Sequence, residues 1–213
     1  PDVIIANSRE VAGRVRRLWR RRAEVINPPV DVAGMPLSAM DDGYLLVVAR
    51  LLAYRRVDLA VRACTALAAR LVVVGDGPER DRLERMAGPT VEFVQPVSRE
   101  RLVDLYARCH AYLVPGIEDF GMAPIEAMAA GKPVVAFAAG GALETVVEGV
   151  TGTFFERDDP GALATAIRRL ESLPLDSARI RAHAERFDAA LFRARMRALF
   201  RRLGVDSALY SAD

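Results

Sequence analysis

Ile117-Glu118-Asp119-Phe120-Gly121-Met122-Ala123-Pro124-Ile125-Glu126-Ala127-Met128-Ala129-Ala130-Gly131-Lys132-Pro133 lies between two apolar runs, Ala111-Tyr112-Leu113-Val114-Pro115 and Val134-Val135-Ala136-Phe137. The pattern predicts a strand, a tight polar turn, a short helix and a second strand, which together make a βαβ unit. Met122, Ile125, Met128 and Ala129 fall at helical spacing and give the helix one apolar face. Gly131 is expected to end the helix, and Pro133 to keep it from restarting. Pro124 sits in the first turn, where a missing N–H does no harm.

The same alternation extends in both directions. Apolar runs at Tyr44–Ala49, Leu71–Val74, Val91–Val94 and Thr153–Phe155 alternate with helical patterns after Asp58, from Glu79 to Met86, after Ser98, and from Pro160 to near Leu173. This order predicts an α/β fold with a doubly wound parallel sheet and right-handed crossovers. Near the start, Val3-Ile4-Ile5-Ala6 reads as a short strand, Ser8 as the N-cap of an arginine-bearing helix, and residues 24–27 as a further strand. Two Arg-rich helices are expected over about 177–186 and 189–203, with a frayed tail after Gly204. Ligands of such sheets bind beyond the carboxyl ends of the strands. The loops holding Arg50, Gly75, Gln95 and Glu118 all follow strands and should share one rim.

Chemistry concentrates at the mouth of the central helix. The N–H groups of Gly121, Met122 and Ala123 lack intrahelical acceptors and form an anion site suited to phosphate. Glu118 precedes the turn and Glu126 lies one turn in. Carboxylates repel phosphate but accept from hydroxyls, so a phosphate beside hydroxyls describes a nucleotide sugar. Two solvated glutamates on a packing helix remain the plain alternative. A pair of carboxylates also suits a glycoside hydrolase, but neither is in an evidently apolar setting that would make it a general acid. Gly75-Asp76-Gly77 is a fragment of a dinucleotide fingerprint without its third glycine or distant ribose acid, too little for hydride transfer.

Seven residues separate Glu118 from Glu126. The run from Glu118 to Ala136 resembles the signature of the retaining, nucleotide-sugar-dependent glycosyltransferases of the GT-B fold, often called family 4 or group 1. The resemblance continues in Gly140-Gly141-Ala142-Leu143-Glu144-Thr145-Val146, Arg50-Leu51, Val74-Gly75-Asp76-Gly77-Pro78-Glu79 and Leu105-Tyr106-Ala107, and covers roughly residues 2–187. Tyr54-Arg55-Arg56-Val57-Asp58 and the Gly-Gly-Ala-Leu-Glu-Thr-Val run resemble a subgroup of mannosyltransferases that build bacterial surface polysaccharides.

The resemblance implies the Rossmann-like C-terminal half of a GT-B fold. Residues 1–38 would be the end of an N-terminal acceptor domain and a hinge. Residues 39–187 would bind the nucleotide sugar, and 188–213 would form a C-terminal helix and tail. Arg50 and Arg55 match an Arg and a Lys that hold the diphosphate, with Arg56 beside them leaving open which arginine acts. Glu126 would accept from ribose hydroxyls and Glu118 from the transferred sugar. Backbone N–H groups of Gly121 and Met122 would meet sugar or phosphate oxygens, and backbone around Val97 the base. The implied reaction retains configuration: the diphosphate departs from the front face and its oxygen helps to deprotonate the acceptor. The first choice of donor is GDP-mannose, and the acceptor a glycan or a lipid-linked molecule held by the N-terminal domain. The alternative is a catalytically silent binding module.

Composition sets the remaining bounds. The chain has 213 residues, 52% of them hydrophobic, with a net charge of +2. That charge is too small by itself to argue for nucleic acid, and no nucleic-acid partner is expected. No apolar run reaches ~18 residues, so the expected location is the cytoplasm or the inner face of a membrane, which the arginine helices could touch. Residue 1 is Pro and no leader pattern follows, which predicts a piece of a longer or processed protein. Cys64 and Cys109, placed in helices, are expected to be buried thiols, and His110 and His183 are isolated, so no metal-ligand spacing arises. No Asp-x-Asp pair occurs, so no metal or other cofactor is expected, and fixed cations with the helix N-terminus would stabilise the leaving diphosphate.

Overall fold

The computed structural model describes residues 2–205. Six parallel strands, β3 (Tyr44–Val48), β4 (Arg70–Val74), β5 (Val91–Val94), β6 (Ala111–Val114), β7 (Val134–Phe137) and β8 (Gly152–Phe155), form one sheet in the order β5-β4-β3-β6-β7-β8. The doubly wound parallel α/β fold expected from the alternation is the fold observed. Strand residues divide cleanly between two cores. Tyr44, Leu46, Val72, Val74, Tyr112, Val114, Val134 and Ala136 face α4 (Arg99–Arg108), α5 (Met122–Ala129) and α8 (Ser177–Ala184). Leu45, Val47, Leu71, Val73, Leu113 and Val135 face α2 (Val57–Leu67), α3 (Arg80–Met86) and α7 (Pro160–Leu170). Both sheet faces are therefore dry, which explains why the strands are unbroken apolar runs rather than alternating ones.

The chain winds from β3 toward β5 on one side, then returns and winds from β6 toward β8 on the other. The strand order thus reverses between β3 and β6, and the loops after these two strands diverge to leave a crevice. Pairing between them is confined to Leu45 with Ala111 and Leu46 with Tyr112. Beyond that point β6 no longer reaches Val48. The buried Tyr112 hydroxyl takes over, accepting from the Val48 N–H at 3.3 Å and donating to its carbonyl at 3.0 Å. Both backbone groups at the fork are satisfied in this way, and burial pushes the Tyr112 phenol well up, keeping it a donor.

The amino-terminal segment docks by polar contacts. β1 (Ile5–Ala6) and β2 (Glu24–Val25) make a separate two-stranded parallel ribbon, shorter than the runs that suggested them, and α1 (Arg9–Trp19) joins them. Ser8 caps α1 as its residue type predicts. The apolar residues of α1 have no core to join: Leu18 is 76% exposed and Trp19 64%. Instead, the Glu144 carboxylate accepts from the N–H groups of Arg9 and Glu10, both at 2.9 Å, and Arg14 pairs with Asp119. Arg181 on α8 ties the following loop to α5 by donating to the carbonyls of Met35 at 2.7 Å, Val32 at 3.1 Å and Ala129 at 2.6 Å.

Smaller expectations change. Cys109 follows α4 as its C-cap rather than lying within it, although both cysteines are buried and free. α7 ends at Leu170, and a turn carries the chain to Leu173. α6 (Ala142–Thr145) is a single turn, and α9 (Ala189–Arg202) is the last helix among the described residues. Most of the tail expected to fray lies outside the described residues. No helix among the described residues is long and apolar enough to cross a membrane.

Candidate functional site

A cavity of about 700 Å³ opens at the carboxyl rim, at the point where the strand order reverses. Its walls come from the loops after all of the first six strands: Asn7 and Pro28 from the amino-terminal ribbon, Arg50 after β3, Gly75 and Asp76 after β4, Pro96 and Val97 after β5, and residues 118–123 after β6. Of the residues expected to form a site, Arg50, Arg55, Val97, Glu118, Gly121, Met122 and Ala123 all line this cavity.

The turn into α5 is built around Gly121, the N-cap, at φ +86. That left-handed conformation is open to glycine at little cost, and it swings the chain from the rim into the helix. Helix geometry then leaves the Met122 and Ala123 N–H groups without intrahelical acceptors. Met122 does not join the apolar face its spacing suggested. It stands 50% exposed on the cavity wall, while Ile125, Met128 and Ala129 are buried.

Two arginines stand in this cavity in different states. The Arg50 side chain has no carboxylate or hydrogen-bond partner among the described residues. Arg55 is paired with Glu118, and each side chain is 25% exposed. Burial works against the Arg55 charge, but the hydrogen bond and the charge of Glu118 outweigh it and raise its pKa. Gly116 makes this approach possible: a Cβ there would lie 2.6 Å from the Tyr54 carbonyl oxygen and 2.7 Å from the Arg55 carbonyl carbon. Arg56 turns elsewhere. Its φ of +52 directs the side chain to Asp58 and Asp158, and it does not line the main cavity. A second cavity, of about 760 Å³, shares Arg55, Glu118 and Asp119 with the first.

Glu126 lies apart from the cavity wall. Its carboxylate accepts from Arg99 Nη1 at 2.8 Å. Tyr106, fully buried beneath, has its phenol pushed well up by burial, with further contributions from Tyr112 and Glu126. Several supporting residues escaped the sequence reading: Asp119 with its Arg14 tie, Gly116, Tyr112 and Arg99. Only Arg99 left a local trace, as a basic residue opening a helix.

Residues 36–187 match the family model "Glycosyl transferases group 1". The chain belongs to this family. Among curated relatives of this group 1 glycosyl transferase is the D-inositol 3-phosphate glycosyltransferase 2 of Catenulispora acidiphila, 33% identical over 81% of this chain and 48% of that protein. Another is the GDP-mannose-dependent alpha-(1-6)-phosphatidylinositol monomannoside mannosyltransferase of Mycolicibacterium smegmatis, 32% identical over 63% of this chain and 40% of that protein. The chain spans about half the length of the curated relatives it matches. Among solved structures, sucrose-phosphate synthase from Thermosynechococcus elongatus superposes with a TM-score of 0.83 at 26% identity, covering 95% of this chain and 58% of that one. Anabaena HepE in complex with UDP-glucose superposes equally well, 0.83, at 23% identity over 94% of this chain and 64% of that one, and shows the shared fold.

Proposed function

We propose that this group 1 glycosyl transferase domain binds a nucleotide diphospho-sugar in the crevice between β3 and β6. The enzyme it serves would transfer the sugar, with retention, to a glycan or lipid-linked acceptor. The observation that carries this reading is the cavity itself: Arg50, a guanidinium without a side-chain partner among the described residues, shares it with the amides at the start of α5 that lack intrahelical acceptors, a pairing suited to diphosphate.

In this reading Arg50 and Arg55 hold the diphosphate, and Glu118 accepts from a hydroxyl of the sugar. Pro96 and Val97 meet the base, and Glu126 serves the ribose. As the bond from the anomeric carbon to the phosphate oxygen breaks, its electron pair stays on the diphosphate, where the arginines and helix amides stabilise the charge. The acceptor oxygen bonds to the anomeric carbon on the same face, and its proton passes to the departing diphosphate. Positive charge fixed in the protein performs the task that a metal held by an Asp-x-Asp pair performs elsewhere. GDP-mannose is the proposed donor. The mannosyltransferase relative supports it, and the UDP-glucose complex of HepE names the competitor to test.

The test is calorimetric titration of the chain with UDP, GDP, UDP-glucose and GDP-mannose. Binding to wild type, and a loss of about 10- to 150-fold in Arg50→Ala, are expected if one charge-assisted contact is removed. A folded chain that binds none of the four would refute the donor site. Binding without transfer by the enzyme in its natural length would leave the silent-module reading in its place.

A further inference from the structure

Arg99 stands where helix electrostatics disfavour it. It is the first residue of α4, at the end where exposed amides carry partial positive charge and acidic side chains are preferred. Ser98 supplies the cap there, and Glu100 supplies the acid. A cation at that position opposes the local preference, so its place is explained by what its side chain reaches.

The side chain crosses to α5 and meets Glu126 Oε1 at 2.8 Å. Its other terminal nitrogen lies 3.7 Å from Met35 Sδ and 4.0 Å from Asp31. One guanidinium thus joins three segments that are far apart in the chain. The first is the loop after β5, which carries Pro96 and Val97 into the cavity three and two residues before Arg99. The second is the helix that carries Glu126. The third is the stretch 31–35, which Arg181 fixes from the other side. A carboxylate offers about four acceptor positions, so the bond to Arg99 orients Glu126 without exhausting it. The planar fork of Arg suits this better than the point charge of Lys.

We propose that Arg99 is a positioning residue of the donor site: it locks the Glu126 carboxylate to the Pro96–Val97 loop, so that ribose and base are held as one rigid unit. This deepens the donor-site reading above and rests on it. Arg99 does not touch the nucleotide in this scheme. It acts by ordering Glu126 before the nucleotide arrives, which removes an ordering cost from binding.

The proposal separates ribose from the rest of the ligand, and the experiment does the same. UDP, GDP and their 2′,3′-dideoxy analogues are titrated against wild type, Arg99→Ala, Arg99→Lys, Glu126→Ala and the double variant Arg99→Ala/Glu126→Ala, with thermal melts to confirm folding. Arg99→Ala is expected to weaken UDP and GDP about 5- to 10-fold. It should leave the dideoxy analogues, which have no hydroxyl for Glu126, within about 2-fold of wild type. On the Glu126→Ala background it should add nothing further, and Arg99→Lys should recover part of the loss. Equal losses for ribo and dideoxy ligands would overturn the proposal, because Arg99 would then act on base, phosphate or fold. Unchanged affinity in Arg99→Ala would overturn it as well. If wild type binds no nucleotide at all, the donor-site reading fails first and takes this with it, an outcome distinct from either of the others.

Discussion

Replacing Glu118 by Gln should tighten the binding of free nucleoside diphosphate while weakening the hold on the sugar it carries. The pairing of Glu118 with Arg55 explains why. Glu118 occupies the Arg55 guanidinium and adds a negative charge to the cavity proposed to take the diphosphate. Glutamine keeps the shape, removes the charge and releases the cation. The two side chains are each a quarter exposed, so their pairing sits between a surface ion pair, worth about 0–1 kcal/mol, and a buried one whose rupture costs about 3–5 kcal/mol. A gain of about 1–2 kcal/mol for free UDP or GDP follows, roughly 5- to 30-fold in affinity. For the nucleotide sugar the gain is offset by a lost charge-assisted contact to a sugar hydroxyl, worth about 1.5–3 kcal/mol. The ratio of the two affinities should therefore swing by more than tenfold toward the free diphosphate. Calorimetry with GDP and GDP-mannose, and with UDP and UDP-glucose, measures that ratio directly. The electrostatic part should shrink as salt rises. If Glu118→Gln weakened free diphosphate and nucleotide sugar alike, the carboxylate would not be competing for Arg55 and the reasoning would be wrong.

Three further outcomes are expected. Arg56→Ala should leave nucleotide affinity within about 2-fold, since Arg56 is committed to Asp58 and Asp158; a loss as large as that of Arg50→Ala in the same titration would reassign the diphosphate contact. Gly116→Ala should lower the melting temperature by about 2–10 °C, from a clash of about 1–3 kcal/mol with the Tyr54 and Arg55 backbone, and weaken UDP by displacing Arg55; a normal melt with normal binding would contradict this. Burial, with the nearby Arg186 charge, lowers the His183 pKa even though the Thr145 carbonyl pulls the other way. Below its ordinary value of about 6.5 the unfolded chain takes up a proton that native His183 resists. Stability should accordingly be full above that value and decline as pH falls through the window beneath it. Melts across that range should show a shallower slope in His183→Gln, and an unaltered slope would assign the effect elsewhere.

Much of this architecture is visible in the residues because its signals are local. The apolar runs of β3, β4 and β6 demand a sheet buried on both faces, and the turn at Gly121 is a strand-to-helix junction with nothing hidden. Arg50, Glu118 and the residues from 121 to 123 follow from their places after strands. Which of Arg55 and Arg56 lines the main cavity does not, because Arg56, in a left-handed conformation, pairs with Asp58 and Asp158 instead. Met122 follows the helical period yet escapes burial, since periodicity assigns a face without saying where along it a cavity opens. The bonds from Arg99 to Glu126 and from Tyr112 to Val48 span 27 and 64 residues, and no window along the chain contains both partners. Ser8, Ser98 and Asp159 are caps that a short window does contain, and each caps its helix through the side chain.

The reversal of strand order also decides when the crevice comes into being. Its walls draw on residues from Asn7 to Ala123, so no fragment holding only the first three sheet strands, or only the last three, encloses it. A nucleotide bound there, as proposed, would be a ligand of the state in which both halves of the sheet are assembled, and would shift the unfolding equilibrium by mass action on that state. Ligand-induced thermal protection consequently doubles as an assay of assembly: a variant that melts cooperatively but gains no protection has a damaged mouth, and one that loses both has failed to close its sheet.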